Sequence, residues 1–221
     1  MYADRRDAGQ KLAQALLRYR DPRLLVLGLP RGGVIVAAEI ARPLDAELDV
    51  VLCKKLRAPG NPELALGAIS EGGEMFINAD VYDHLDVDEE YLREERAERL
   101  AEMDRQIAAY RAVRPRAALG GRRVVLVDDG LATGATMIAS VQSAALEHPR
   151  SILVAVPGGA ADTVEKIQRM REVDAVICPV TPSMFYGVGQ LYEDFGQVED
   201  EEVIRLLEGE MARHANARRA T

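Results

Sequence analysis

The chain has 221 residues, 48% of them hydrophobic, and a formal charge of −8 from 28 basic and 36 acidic side chains. That length suffices for one sizeable α/β core, or for a core with an appended cap. The acidic balance disfavours a nucleic-acid surface, no run of 18 apolar residues marks a membrane span, and the start MYADRRDAGQ lacks the apolar centre of a signal peptide.

Met1–Arg20 predicts a helix, because Leu12, Leu16 and Tyr19 recur at spacings of four and three among charged residues. Asp21–Pro22 ends it. Leu24–Leu27 reads as a buried strand, followed by Gly28-Leu29-Pro30-Arg31-Gly32-Gly33 and a helical stretch, Val34–Arg42. Val50–Cys53 reads as a second strand. Leu64–Ile69 and Glu74–Ile77 flank Glu71-Gly72-Gly73, the pattern of a hairpin. Asp88–Val113 predicts a long helix with Leu92, Leu100, Met103, Ile107 and Tyr110 on one stripe. Glu89/Arg93 and Glu95/Arg99 are i,i+4 pairs, each contributing about 0.2–0.5 kcal/mol, which predicts a packed helix with a solvated charged face. A lid, a dimerisation arm and a bundle partner for the N-terminal helix all remain open for it. Arg122–Val127 is the next strand and Thr136–Leu146 its helix. Ile152–Val156, a helix near Asp162–Arg171, and Ala175–Cys178 continue the rhythm, and Glu201–Arg213 is a last helix before a frayed end. Strands alternating with helices predict an open parallel sheet with helices on both faces.

Val124–Thr136, VVLVDDGLATGAT, carries the most chemistry. Four β-branched or aliphatic residues form a strand buried on both faces. Asp128 and Asp129 then stand at its carboxyl end, where open α/β sheets keep their ligands. Gly130, Ala132, Gly134 and Ala135 leave little side chain between the backbone and a visitor, so several N–H groups can close on one anion. Thr133 and Thr136 add hydroxyls. Carboxylates for a sugar diol beside N–H donors for a phosphate describe a ribose-5-phosphate site, although an acid pair can also cap the next helix. No Walker lysine precedes Thr136, where Ala135 stands, and no GxGxxG occurs.

This segment resembles the phosphoribosyl diphosphate (PRPP) signature of the type I phosphoribosyltransferases. The resemblance implies that Asp128 and Asp129 hold the ribose hydroxyls. It makes Gly130 and the run Leu131, Ala132, Thr133, Gly134, Ala135 and Thr136 the 5-phosphate loop. It implies Mg²⁺ bridging diol and diphosphate, with Asp128 and Asp129 as indirect ligands through PRPP or water. Purine-salvage members carry an acid at the place of Ala132, so this chain departs from them and stands closer to uracil-type and competence-type relatives. The implied fold is the family's α/β sheet over 1–221 as one domain, with a helical insertion at 79–115 and a small hood from 1–20 and 181–200.

Gly28–Gly33 also joins a buried strand to a helix. In the family the corresponding loop takes diphosphate, which assigns Pro30, Arg31, Gly32 and Gly33 to it, with Arg31 as the catalytic cation. Forked guanidinium donors suit two phosphate oxygens. Lys54-Lys55-Leu56-Arg57 reads as a basic turn past the second strand, and the family's mobile loop near here makes Lys55 and Arg57 candidates for the departing diphosphate. Thr181–Gln197 gathers Phe185, Tyr186, Tyr192 and Phe195 in a chain only 5% aromatic. Such a cluster can stack on a planar acceptor, with Phe185 and Tyr186 foremost, or form the core of a hood.

His84, His148 and His214 stand apart from both loops, and no HxH, HExxH or CxxC spacing occurs, which disfavours a protein-bound transition metal. Cys53 and Cys178 read as free buried thiols suited to a reducing cytoplasm. The expected activity is Mg²⁺-dependent transfer from PRPP to a nitrogenous base or other small planar acceptor, in the cytoplasm, with no nucleic-acid or membrane partner and a homodimer left open. The rivals are a non-catalytic PRPP or nucleotide sensor on the same fold, and a hydrolase or phosphorylase of phosphoribosyl compounds.

Overall fold

The short apolar runs become parallel strands because each has one side chain for each face of the sheet. In the computed structural model, β1 (Leu25–Gly28), β2 (Glu47–Val50), β6 (Arg123–Val127), β7 (Ser151–Ala155) and β8 (Ala175–Ile177) form one parallel sheet in the order β2-β1-β6-β7-β8. Val26, Val125, Val127 and Leu153 point into one apolar cluster, with α1 (Arg5–Leu16), α2 (Gly32–Leu44) and α7 (Asp200–Arg219). Leu25, Val124, Leu126 and Val154 point into the other, with α5 (Ala135–Ala145) and α6 (Ala161–Gln168). The sheet is therefore open, parallel and covered on both faces, as the alternation of apolar runs and helical stretches predicts. Residues 1–85 and 87–219 are described, except the side chains at 62, 63, 80, 81, 83 and 214–219, so the His214 side chain and the chain end lie outside the described residues. Among the described residues no helix is long and apolar enough to cross a membrane.

A second sheet of three antiparallel strands, β3 (Cys53–Ala58), β4 (Asn61–Ser70) and β5 (Met75–Ile77), sits beside the first. It contains the expected hairpin but corrects the reading around it. The apolar run Val50–Cys53 is not one strand: β2 ends at Val50, and Cys53 opens β3. Lys54–Arg57 is strand, not turn, with Lys54 opposite Ile69 and Lys55 opposite Ala68. Leu56 and Ala58 are buried on it while the basic side chains are half-exposed.

α3 (Ala79–Leu85) and α4 (Glu89–Val113) complete the chain. α4 packs on β3, β4 and α7 rather than pairing with α1. Met103 and Tyr110 are buried as the stripe requires, and Glu89, Arg93, Glu94, Glu98 and Glu102 lie on the expected solvated face. The expectation fails at Glu95 and Arg99, which are buried. The reason lies in β3: Glu95 accepts from the Arg57 backbone N–H at 2.9 Å and from its Nε and Nη2 at 3.0 Å each. At the far end of α4, Arg111 binds Asp49 of β2 at 2.7 Å and Glu71 at 2.6 Å. Removing one partner of the buried Arg111–Asp49 pair costs about 3–5 kcal/mol, so this end of α4 is held firmly against the sheet edge.

Candidate active site

The strand order reverses between β1 and β6, and at such a switch point the loops after the two strands diverge and leave a crevice. The loop after β1 is Leu29–Arg31, running into α2, and the loop after β6 is Asp128–Gly134, running into α5. Leu29 N–H donates to Val127 O at 2.8 Å, which ties the two loops at their base. They approach so closely that a Cβ on Gly32 would stand 2.0 Å from Asp129 Oδ2. Any larger residue there displaces the Asp129 carboxylate and with it the Arg5 guanidinium. The Pro30–Arg31 peptide between them is cis.

The second loop is built from backbone bonds. Leu131 N–H donates to Gly158 O at 3.0 Å, Ala160 N–H to Leu131 O at 2.9 Å, and Thr163 Oγ1 to Ala132 O at 2.8 Å. Gly134 caps α5 with φ +70°, and a Cβ there would lie 2.5 Å from Thr163 Cγ2. Neither Asp128 nor Asp129 caps α5, so the capping reading of the acid pair does not describe this turn. The first N–H groups of α5 have no acceptor within the helix, and they open toward a cavity of about 200 Å³ lined by residues 128–137 and Val188.

The two acids differ in environment. Asp128 Oδ1 accepts the Asp129 N–H at 2.9 Å, and burial, followed by the charge of Asp129, pushes its carboxyl well above the ordinary range. Asp129 Oδ2 accepts from Arg5 Nε at 2.7 Å, with both side chains at most 15% exposed. Arg5 Nη1 donates to Gly196 O at 2.8 Å, and its guanidinium lies 3.9 Å from the Phe195 ring centroid. Tyr192 stacks on Phe195 and donates its hydroxyl to Asp129 O at 2.6 Å. Tyr2 N–H donates to Leu191 O at 2.8 Å, joining the N-terminal segment to the aromatic segment. Arg5 and Tyr192 thus touch the acid pair, and nothing local in the sequence marks either role.

A larger cleft of about 540 Å³ adjoins the first, sharing Ala135 and Thr136 with it. Pro30, Arg31, Lys55 and Arg57 stand on its wall together, with Lys54 beside them. Gly32 and Gly33 line neither cavity and pack against Asp129 and Asp128. Arg31 is paired with Glu199 at 3.2 Å, Lys54 with Glu102 at 3.8 Å, and Arg57 with Glu95 and Glu98. Phe185 is half-buried against the Tyr2, Leu191 and Tyr192 cluster, whereas Tyr186 is 85% exposed, and neither lines these two cavities. Cys53 and Cys178 are free and half-buried, and desolvation raises each thiol to about 11.

A family model described as "Phosphoribosyl transferase domain" matches residues 3–190. Two curated proteins from Mycobacterium tuberculosis strains, both named "Putative phosphoribosyl transferase", are 42% identical over 208 residues, covering 94% of this chain and 46% of each relative. The chain therefore spans about half the length of the curated relatives it matches. The crystal structure of TT1426 from Thermus thermophilus superposes with a TM-score of 0.89 at 46% identity, covering 95% of this chain and 98% of that one.

Proposed function

We propose that this chain, which belongs to the phosphoribosyl transferase family, moves the 5-phosphoribosyl group of PRPP to a nitrogenous base or other small planar acceptor and releases diphosphate. The observation that carries this reading is the joining of two cavities at the sheet's switch point. One is walled by the acid pair and the turn through Thr136, the other by the Pro30–Arg31 loop and the basic strand β3. In that reading Asp128 and Asp129 accept hydrogen bonds from the ribose hydroxyls, and the loop N–H groups with Thr133 and Thr136 take the 5-phosphate. Arg31, Lys55 and Arg57 face the diphosphate. The C1–O bond to diphosphate breaks and its electron pair leaves with the diphosphate, while a ring nitrogen bonds to C1 through an oxocarbenium-like state. The side chains contribute position and charge rather than covalent chemistry.

Mg²⁺ fits the donor set. Among the described residues no group of three or more His, Cys, Asp and Glu side chains forms a metal cage. Mg²⁺ is commonly held by one or two carboxylates together with substrate phosphates, and Asp128 and Asp129 offer hard oxygen donors for that arrangement. When bound it neutralises charge on the diphosphate. A cytoplasmic location belongs to the same proposal.

The acceptor follows from Ala132. Its methyl group cannot exchange a proton with a 6-oxopurine, so we expect negligible transfer to hypoxanthine or guanine and preference for a pyrimidine or another small planar acceptor. Phe185 and Tyr186 on the aromatic segment are its proposed contacts. The test is PRPP consumption against a panel of free bases and small aromatic acceptors, with and without Mg²⁺. Guanine or hypoxanthine turning over faster than every pyrimidine refutes the reading of Ala132. Tight PRPP binding with no transfer to any acceptor replaces the enzyme by a non-catalytic PRPP-binding regulator.

A further inference from the structure

The 540 Å³ cleft has a wall that the reading above leaves unused: helix α4, through Arg99, Glu102 and Gln106. The Arg99 side chain is only 6% exposed. Its Nη1 donates to Glu102, its Nε lies 3.2 Å from Glu95, and its Nη2 touches Glu98. Yet neither the buried Nε nor the buried Nη2 has an acceptor in line with its N–H. The guanidinium is held electrostatically by three carboxylates, two of them poorly aligned with its N–H bonds.

The three carboxylates around it are not equivalent. Glu95 is 3% exposed and shared with Arg57, so it is fixed. Glu98 is 58% exposed and also shared with Arg57, but it does not line the cleft. Glu102 is 42% exposed, lines the cleft, and reaches both Arg99 and Lys54. Exposed carboxylates give up an ion pair at little cost, because water replaces the partner. A phosphate offers a guanidinium two parallel, charge-assisted bonds that this crowded carboxylate does not.

We propose that α4 supplies two opposed groups to an anion site in this cleft: Arg99 as a buried donor to a diphosphate, and Glu102 as an internal carboxylate that the diphosphate displaces. The assignment of diphosphate to the cleft rests on the transferase reading above. Glu102 pairs with Arg99 and Lys54, and an arriving diphosphate takes its place while the Glu102 side chain turns to water.

Calorimetry of the full chain with diphosphate, and with ribose 5-phosphate as control, tests this. Glu102→Gln removes the competitor and is expected to tighten diphosphate binding about three- to tenfold. Arg99→Lys keeps the charge but loses the fork and is expected to weaken it at least tenfold. Ribose 5-phosphate affinity stays unchanged in both. A helix residue with a merely structural part gives losses of the same sign for both ligands, so diphosphate affinity that falls in both folded variants, or moves in neither, overturns the proposal. Wild-type transfer from PRPP is scored separately. Opposite changes in diphosphate affinity with no wild-type transfer overturn the transferase reading and leave the anion site standing. Active wild type with indifferent variants overturns the α4 proposal alone.

Discussion

Arg5→Met isolates the contact that joins α1 to the signature turn. The substitution leaves Asp129 Oδ2 without its 2.7 Å partner, Gly196 O without its 2.8 Å donor, and the Phe195 ring without the cation 3.9 Å away. The pair is neither surface nor core, at 11% and 15% side-chain exposure. Exposed ion pairs contribute about 0–1 kcal/mol, and breaking a fully buried one costs about 3–5 kcal/mol. Met replaces most of the stem packing, so the expected loss lies between these limits, about 2–4 kcal/mol. In a chain of this size each kcal/mol moves Tm by about 2–4 °C, which places the fall between about 4 and 16 °C. Urea unfolding of Arg5→Met, Asp129→Asn and the double variant then gives the coupling. Groups in direct contact couple by about 0.5–3 kcal/mol, whereas independent sites add within about 0.3–0.5 kcal/mol. Additive losses in this cycle refute the claim that Arg5 acts through Asp129.

Two further outcomes follow from the same geometry. Asp128 has its carboxyl raised by burial and by Asp129, so the folded chain keeps this proton longer than the unfolded one, and the contribution to stability falls as pH rises from about 3.9 toward the raised value. Asp128→Asn, whose amide oxygen can still accept the Asp129 N–H, therefore gains stability relative to wild type as pH rises through that window; a difference in unfolding free energy that is flat from pH 4 to pH 8 refutes this. Arg31→Ala breaks only an exposed pair with Glu199, so Tm stays within about 2 °C, PRPP and diphosphate bind more weakly, and ribose 5-phosphate binds as before; equal losses for all three ligands show that Arg31 acts on the fold instead.

The sheet was legible because its strands are apolar on both faces, and runs such as Leu24–Leu27 and Val124–Val127 have few other uses. The signature turn was legible because its chemistry is contiguous. β3 was not, since a strand half-buried on one side reads as CKKLRA, and its charges mask Leu56 and Ala58. Glu95 and Arg99 were misplaced for a related reason. Their i,i+4 spacing is the same on a solvated face and on a buried one, and only Arg57, 38 residues before Glu95, decides which. Arg5 is the extreme case. Its carboxylate partner lies 124 residues away, and an arginine near a helix start carries no local sign of it.

The backbone ladder through the turn also bears on how a ligand gets in and out. Leu131 bridges Gly159, and Gly158 bridges Val180, so the sheet's hydrogen bonding continues past the strand ends into the turn itself. That side is woven into the scaffold, and opening it means tearing main-chain bonds. On the facing side the buried Glu95 holds Arg57 through its backbone N–H as well as its side chain. The outer contacts to α4, Lys54 with Glu102 and Arg57 with Glu98, are exposed side-chain ion pairs that part and re-form without disturbing the main chain. Breathing during exchange therefore falls on the β3–β4 hairpin. Salt should loosen that jaw and leave the other rigid, because ionic screening weakens exposed charge pairs and barely touches amide ladders.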